Sequence, residues 1–172
     1  MITNVQLTTK EQYLLKDQKT HEEQCILKYD NYANLASDAQ LKGIFRSNGQ
    51  KEREHLQSIN QLLEGKIPSV GGQSSQSGSS QSGTSQSGSQ NAMSQQSSVE
   101  QSGSSGINIS DKDMCIDMLS TEKYVSGTYN TAIFEFSNAQ IRDVLNHIQK
   151  EEQKHGEAIF TYMQSKGMYS PQ

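Results

Sequence analysis

Apolar side chains recur along this chain at steps of three and four residues, in four separate segments. That spacing is typical of helices that bury one face and expose the other. In the first half the repeating positions are Leu15, Cys25, Tyr29 and Ala36, followed by Leu41, Phe45, Ile59 and Leu62. In the second half they are Met118, Val125, Tyr129, Ile133 and Phe136, followed by Ile141, Leu145, Ile148, Ile159 and Met163. The pattern predicts an all-α protein with four helices.

The two halves of the chain resemble each other at an offset of 100 residues. Residues 16–66 and 116–166 share ten identical positions, and both halves are interrupted at the same point, Ser37-Asp38 and Ser137-Asn138. Serine, aspartate and asparagine are suited to capping a helix that begins immediately afterwards. Each half is therefore predicted to fold as an antiparallel helical hairpin, and the chain is interpreted as an internal duplication.

A low-complexity segment separates the halves. Of the 36 residues from 71 to 106, 30 are Gly, Ser or Gln, and the triplet QSG recurs. Such a segment has almost no apolar surface to bury, so it does not offset the entropy lost on ordering its backbone. We predict a first hairpin at 1–70, a flexible, disordered linker at 71–106 and a second hairpin at 107–172, with both hairpins in one bundle domain. Adhesive contacts in a dense assembly are a second interpretation of the linker.

Six ionisable residues lie on the inward, apolar faces of the predicted helices. They are Glu22, Glu52 and His55 in the first half and Glu122, Glu152 and His155 in the second. Glu22 precedes Ser37 by 15 residues and Glu52 follows it by 15, so both should lie about 22 Å from the turn at 1.5 Å per residue. The second half repeats this spacing about Ser137. A four-helix bundle would thus bring all six side chains to one level.

Four carboxylates clustered in an apolar interior are strongly unfavourable when ionised unless cations balance them. Two divalent ions would supply the matching charge. One Glu from each of two helices, with Glu-x-x-His from each of the other two, is the ligand pattern of di-iron and di-manganese carboxylate bundles. Oxygen and imidazole donors suit iron or manganese. The sequence therefore predicts a site for two Fe or Mn ions, with a vestigial or hydrogen-bonded polar layer as the alternative.

Other side chains beside these motifs are predicted to have ordinary roles. Glu23, Glu54 and Glu151 fall off the apolar stripe and are expected to be solvated. Tyr29 and Tyr129 lie one heptad beyond Glu22 and Glu122 and are interpreted as core residues, with a redox role or a supporting role next to the ligands as the alternative.

Charge and composition exclude several classes of partner. The formal net charge is −4, which argues against nucleic acid. The N-terminal residues show neither a basic start nor a continuous apolar run, so no secretory signal is expected, and no window approaches the length of a membrane span. Cys25 and Cys115 lack a CxxC spacing and are expected to be reduced and packed in the core.

Several short motifs stand close together between Asp111 and Tyr169. They are the opening DKD, the TEK around Glu122, the TYN at 128–130, and the closing EEQKH and YMQSKGMY. In these motifs the second half is similar to the spore coat F family of endospore-forming bacteria, within the ferritin-like proteins. The first half shares the resemblance chiefly through the internal repeat, and the Gly/Ser/Gln segment lies outside it.

The resemblance implies a ferritin-like four-helix bundle located in or near the spore coat, with other coat proteins as partners and synthesis in the mother-cell cytoplasm. Carried over position by position, it implies the same six metal ligands. The chain has no rubredoxin-like pair of CxxC motifs and no fifth helix, which argues against a rubrerythrin-type electron supply and a ferritin cage.

Two functions are compatible with these observations. The first is a structural component of the spore coat whose bundle retains a dinuclear metal centre. The alternative is a soluble, cytoplasmic oxidoreductase of the peroxidase, catalase or ferroxidase type, in which two Fe or Mn ions supply the redox chemistry. The oligomeric state is left open, with a homodimer among the candidates.

Overall fold

The structure, a computed structural model, describes residues 4–69 and 109–170. In these two ranges it contains four α-helices and no strand. The helices are α1 (Thr9–Leu35), α2 (Ala39–Leu63), α3 (Asp111–Glu135) and α4 (Ala139–Ser165). The prediction of four helices is confirmed, whereas the predicted linker at 71–106 lies outside the described residues. Across the described part of the chain, no helix has both the length and the apolar character needed to cross a membrane.

The predicted breaks between paired helices are confirmed by the caps that the structure shows. The side chain of Asp38 accepts hydrogen bonds from the backbone amides of Gln40 and Leu41 and so begins α2. Asn138 caps α4 in the same way. These side chains satisfy amides that have no partner within the first turn of a helix. Each half of the chain therefore reverses direction at the residues where the sequence pattern is interrupted.

The helices pack α1 against α2, α3 against α4, α1 against α3 and α2 against α4. Their buried apolar side chains form two clusters. One contains Leu15, Ile59, Phe136 and Leu145, and the other contains Phe45, Met118, Ile159 and Met163. The predicted apolar stripe is buried as expected except at Ile133, which is half-buried at the margin of the core, while its neighbour Ala132 is fully buried.

Two acidic residues tie the beginning of one hairpin to the turn of the other. The Glu11 carboxylate accepts hydrogen bonds from the backbone amide and the hydroxyl of Ser137, at 3.0 and 3.2 Å. Asp111 does the same for Ser37, at 2.8 Å from both donors, and also accepts from the Asp38 amide at 3.0 Å. These contacts hold the two hairpins in register, which sets the relative height of the side chains in the middle of the bundle.

We predict that Glu11→Gln destabilises the fold by about 1 to 3 kcal/mol at neutral pH, the range for a lost hydrogen bond to a charged group. Burial raises the pKa of the Glu11 carboxyl, but the hydrogen bonds from Thr8 and Ser137 outweigh it and leave that pKa below its ordinary value. A lowered pKa in the folded state means that the stabilisation is present at neutral pH and is lost as the pH falls below about 4.

Urea unfolding between pH 7 and pH 3 would measure this effect, with Glu23→Gln as the control because that side chain is 50% exposed. The difference between wild type and Glu11→Gln should shrink towards pH 3. A difference that is equal at both ends of the range would contradict the role given to the Glu11 charge.

Candidate metal centre

The middle of the bundle holds a polar layer between the two apolar clusters. All six side chains predicted from the sequence lie in this layer, and none is more than 4% exposed. They are Glu22 from α1, Glu52 and His55 from α2, Glu122 from α3, and Glu152 and His155 from α4. The equal spacing of Glu22 and Glu52 from the first turn, repeated in the second hairpin, explains why four helices place them at one height.

The six residues form two overlapping groups. The first group is Glu22, Glu52, His55 and Glu152, and the second is Glu52, Glu122, Glu152 and His155. Within each group, one potential ligand atom per residue lies within 4.8 Å of all the others. Glu52 and Glu152 belong to both groups. Each hairpin therefore contributes one shared carboxylate, one unshared carboxylate and one imidazole.

The imidazoles face the carboxylates through Nδ1. Nδ1 of His55 lies 3.0 Å from Glu152 Oε1, 3.2 Å from Glu52 Oε2 and 3.6 Å from Glu22 Oε2. Nδ1 of His155 lies 3.0 Å from Glu52 Oε1, 3.6 Å from Glu152 Oε2 and 3.7 Å from Glu122 Oε2. The two rings stack with their centroids 5.7 Å apart. The layer thus has an approximate two-fold symmetry that follows the sequence repeat.

A tyrosine from the opposite hairpin anchors each unshared carboxylate. The hydroxyl of Tyr129 donates to Glu22 Oε1, and that of Tyr29 donates to Glu122 Oε1. Burial, together with the nearby carboxylates, raises the pKa of both phenols, so they keep their protons and act as donors. Each tyrosine leaves the second oxygen of its partner directed towards a histidine. The supporting role was only the alternative interpretation from the sequence, and the structure favours it.

Asn48 is a part of the site that the sequence interpretation missed. Its side chain is 6% exposed, and its Nδ2 donates to the Tyr29 hydroxyl at 3.1 Å. Asn48 lies three residues after Phe45 and four before Glu52, so it occupies the inward stripe of α2, and this spacing was the signal available. The second hairpin has Ile148 at the corresponding position, so the support for Tyr29 has no equivalent for Tyr129.

We predict that Tyr29→Phe and Tyr129→Phe each weaken binding of divalent metal about 10- to 100-fold, the usual effect of removing a group that orients a ligand. The reason is that Glu122 or Glu22 would lose the hydroxyl that holds one of its oxygens. Competition with a chromophoric chelator would measure the change. Tyr32→Phe is the matched control, because the Tyr32 hydroxyl donates to Asp117 at 2.8 Å. Asp117 is not one of the six residues of the polar layer. Equal affinities in all four proteins would contradict this role.

Burial and the neighbouring charges shift the pKa values of the groups in this layer. Burial raises the pKa of Glu22 and Glu122 well above the ordinary value. Burial lowers the pKa of His55, but the neighbouring carboxylates, led by Glu152, outweigh it and raise that pKa to about 12. The pKa of His155 reaches about 11 by the same opposition, with Glu122 the leading carboxylate. The carboxylates therefore attract positive charge strongly enough to protonate both rings.

The buried Glu and His groups of this layer could hold a metal ion. Several buried atoms of this layer make no hydrogen bond of good geometry among the described residues: Glu22 Oε2, Glu52 Oε1, Glu122 Oε2, both oxygens of Glu152, His155 Nδ1 and both Nε2 atoms. Glu52 Oε1 and Glu152 Oε1 each lie 3.0 Å from the Nδ1 atom of a histidine, His155 and His55 respectively. Unpaired buried oxygens are costly, and a bound cation would remove that cost. Two ions would also supply four positive charges to four carboxylates, in place of protons on the rings.

The donor set consists of oxygen and imidazole. Cys25 is buried near the cluster and is not in a disulfide. Burial raises the pKa of its thiol, and Glu52 raises it further, so this sulfur stays protonated. Thiolate ligands favour soft metals, whereas carboxylate and imidazole suit iron and manganese among others. The donor atoms of the layer are therefore of the kinds that harder divalent ions accept.

Two of the three glutamates expected to be solvated are exposed. The Glu23 and Glu54 side chains are 50% and 51% exposed. For Glu151 the expectation was wrong, because its side chain is only 15% exposed and pairs with Lys154 at 2.5 Å. None of the three belongs to either ligand group.

Three of the six residues of this layer lie in a segment that is similar to a known protein family. Residues 110–172 match the Coat F domain. The match covers the second hairpin of the chain and includes Glu122, Glu152 and His155. Their counterparts Glu22, Glu52 and His55 lie outside the Coat F match and are related to it by the internal repeat.

The Coat F match is accompanied by similarity to one curated protein. The chain is 34% identical over 62 residues to the uncharacterized protein YusN of Bacillus subtilis strain 168, which is 36% of this chain and 56% of that relative. The chain thus spans little more than half the length of the curated relative it matches. No solved structure matches the chain significantly.

Proposed function

We propose that the protein binds two divalent metal ions, Fe or Mn, in a ferritin-like bundle formed by both hairpins. The observation that carries this proposal is the pair of overlapping ligand groups that share Glu52 and Glu152. Glu22 and His55 would complete one site, and Glu122 and His155 the other. The shared carboxylates would bridge the ions. The predicted segment 71–106 would then connect two halves of one domain.

We also propose that this metal-binding bundle is a component of the spore coat. The support is the match of residues 110–172 to the Coat F domain. In this setting the bundle would be made in the mother cell and would assemble with other coat proteins. The metal centre would stabilise the bundle by cross-linking its four helices through buried ligands.

Metal analysis of the purified protein tests the first proposal. The protein would be produced in manganese- or iron-supplemented medium, desalted and measured by plasma mass spectrometry. We expect about two metal ions per chain, since two ligand groups are present. A value far below one, also after incubation with excess Mn²⁺ or Fe²⁺ under anaerobic conditions, would rule out the dinuclear site.

Fractionation of spores tests the second proposal independently of metal. An antibody to the protein should detect it in the coat extract of purified spores. It should be depleted from the spore core and from vegetative cells. Detection only in the vegetative soluble fraction would rule out the coat assignment and leave the metal site unaffected.

An oxidoreductase is the second candidate function. The observation that favours it is a surface pocket that reaches Glu122 and Glu152, because a redox centre needs access for its substrate. Bound Fe or Mn would supply the electron transfer, while the protein would hold the ions and limit access. Peroxide consumption by the metal-loaded protein, compared with its metal-free form, would detect such an activity, and equal rates would exclude it.

A further inference from the structure

A pocket opens on the surface between α3 and α4 and ends at the metal cluster. Its volume is about 400 Å³. Leu119, Ser126, Gly156 and Phe160 line its walls, and Lys123 and Tyr169 lie among the remaining lining residues. Glu122 and Glu152 also line it, although they are only 2% and 0% exposed. The inner wall of the pocket is therefore formed in part by two residues of the site whose side chains are almost completely buried.

Only one of the two oxygens of the Glu122 carboxylate accepts a hydrogen bond from the described residues. Glu122 Oε1 accepts the Tyr29 hydroxyl, but Oε2 has no hydrogen-bond partner in the described part of the chain. Neither oxygen of Glu152 makes a hydrogen bond of good geometry in these residues, although Glu152 Oε1 lies 3.0 Å from His55 Nδ1. Buried polar atoms without partners are rare, and an ion bound beside these oxygens would satisfy them. The floor of the pocket is thus the edge of the metal cluster.

Two residues that line the pocket in the second half are smaller than their counterparts in the first half. Gly156 and Ser126 correspond to Leu56 and Ile26 in the first half. A Cβ atom added to Gly156 would meet only the Leu119 side chain, at 4.0 Å. Glycine in the middle of a helix costs about 1 kcal/mol relative to alanine. The space in front of Gly156 is therefore available to a ligand, and the bulkier residues at 56 and 26 are suited to filling the equivalent space.

We propose that this pocket is the access route by which a small anion reaches the metal centre, at the ion held by Glu122 and His155. The inference rests on the proposed dinuclear site. The ligand is small because Glu122 and Glu152 are almost completely buried behind the pocket, so only a few atoms can be accommodated beside them. It is anionic because it approaches past the cationic Lys123 and binds a positively charged ion. In the first half the bulkier Ile26 and Leu56 stand at the positions of Ser126 and Gly156, so we expect no such route to an ion held by Glu22 and His55.

The test uses Co²⁺ as the metal and azide as the small anion. Wild type loaded with two Co²⁺ should change its visible absorption on azide addition, with saturation. Gly156→Leu places in the pocket the side chain that the first half carries, and should lower the azide affinity by about tenfold or more, equal to about 1.4 kcal/mol or more. Ser126→Ile is a second variant with an effect in the same direction. Gly127→Leu is the matched control, because Gly127 is an exposed helical glycine with no neighbour within 4 Å of an added Cβ.

The Co²⁺ content is measured for every protein, so that the two proposals fail in different ways. Fewer than one Co²⁺ in wild type would remove the dinuclear site and the access route with it. Two Co²⁺ in wild type without any azide response would overturn the access route alone. So would an unchanged azide affinity in both Gly156→Leu and Ser126→Ile at full Co²⁺ loading.

Discussion

Replacing Glu52 and Glu152 together with alanine should reduce the metal content from about two ions per chain to none. Each ligand group has four members and would lose two of them. The remaining pairs, Glu22 with His55 and Glu122 with His155, are too few to hold a hard divalent ion in a buried site. Plasma mass spectrometry and titration calorimetry with Mn²⁺ would measure the loss.

Two comparison variants make this result specific. Glu23→Ala combined with Glu54→Ala removes the same number of charges from exposed positions and should retain both ions. Glu22→Ala removes a ligand from one group only and should leave about one ion, if Glu52 and Glu152 bridge. Full metal content in the Glu52→Ala, Glu152→Ala protein would show that the layer is a polar core without a metal role.

Removal of metal from wild type should lower the free energy of unfolding by about 5 kcal/mol. An ion present at 100 times its dissociation constant stabilises a native protein by about 2.7 kcal/mol, and two ions bind here. For a helical domain of this size that corresponds to a decrease in Tm on the order of 15 °C. Calorimetric melting with excess Mn²⁺ and with excess chelator would measure the difference.

The double variant Glu52→Ala, Glu152→Ala provides the control for this measurement, because its Tm should not respond to either additive. An equal Tm for wild type in Mn²⁺ and in chelator would contradict the proposed contribution of metal to stability. Metal binding should also release protons near neutral pH, because the carboxylates raise the pKa of both histidines and a histidine must lose a ring proton to bind a metal. The same titrations in buffers of different ionisation enthalpy would show that release.

The four helices, and the inward position of the six polar residues, could be predicted from the sequence. Helical periodicity placed Glu22 and Glu52 on inward faces, and the repeat placed Glu122 and Glu152 in the same phase. The turns could also be predicted from the sequence, because the side chains of Asp38 and Asn138 each accept hydrogen bonds from the first backbone amides of the helix that follows. These features depend on residues close together in the chain, where spacing determines which face a side chain occupies.

The contacts across the hairpins could not be read in the same way. Tyr129 donates to Glu22 and Tyr29 to Glu122, and each pair joins residues more than 90 positions apart. The hydrogen bond from the Ser137 amide to the Glu11 carboxylate also joins residues that are far apart in the chain. Such contacts depend on how α1 lies against α3, which the periodicity of a single helix does not specify. The sequence therefore left the tyrosines as ordinary core residues.

By itself, the sequence determined that this protein has four amphipathic helices in two related hairpins, with acidic and imidazole groups turned inward at matched distances from each turn. Only the tertiary structure decided which carboxylates belong to both ligand groups, which carboxylates accept a hydrogen bond from a tyrosine, and where a surface pocket lies beside them. The physical reason is that helix phase follows from local backbone geometry, whereas the pairing of helices follows from side-chain packing over the whole bundle. The asymmetry at Gly156 and Leu56 was visible in the sequence, but its meaning depends on the pocket that the packed helices leave open.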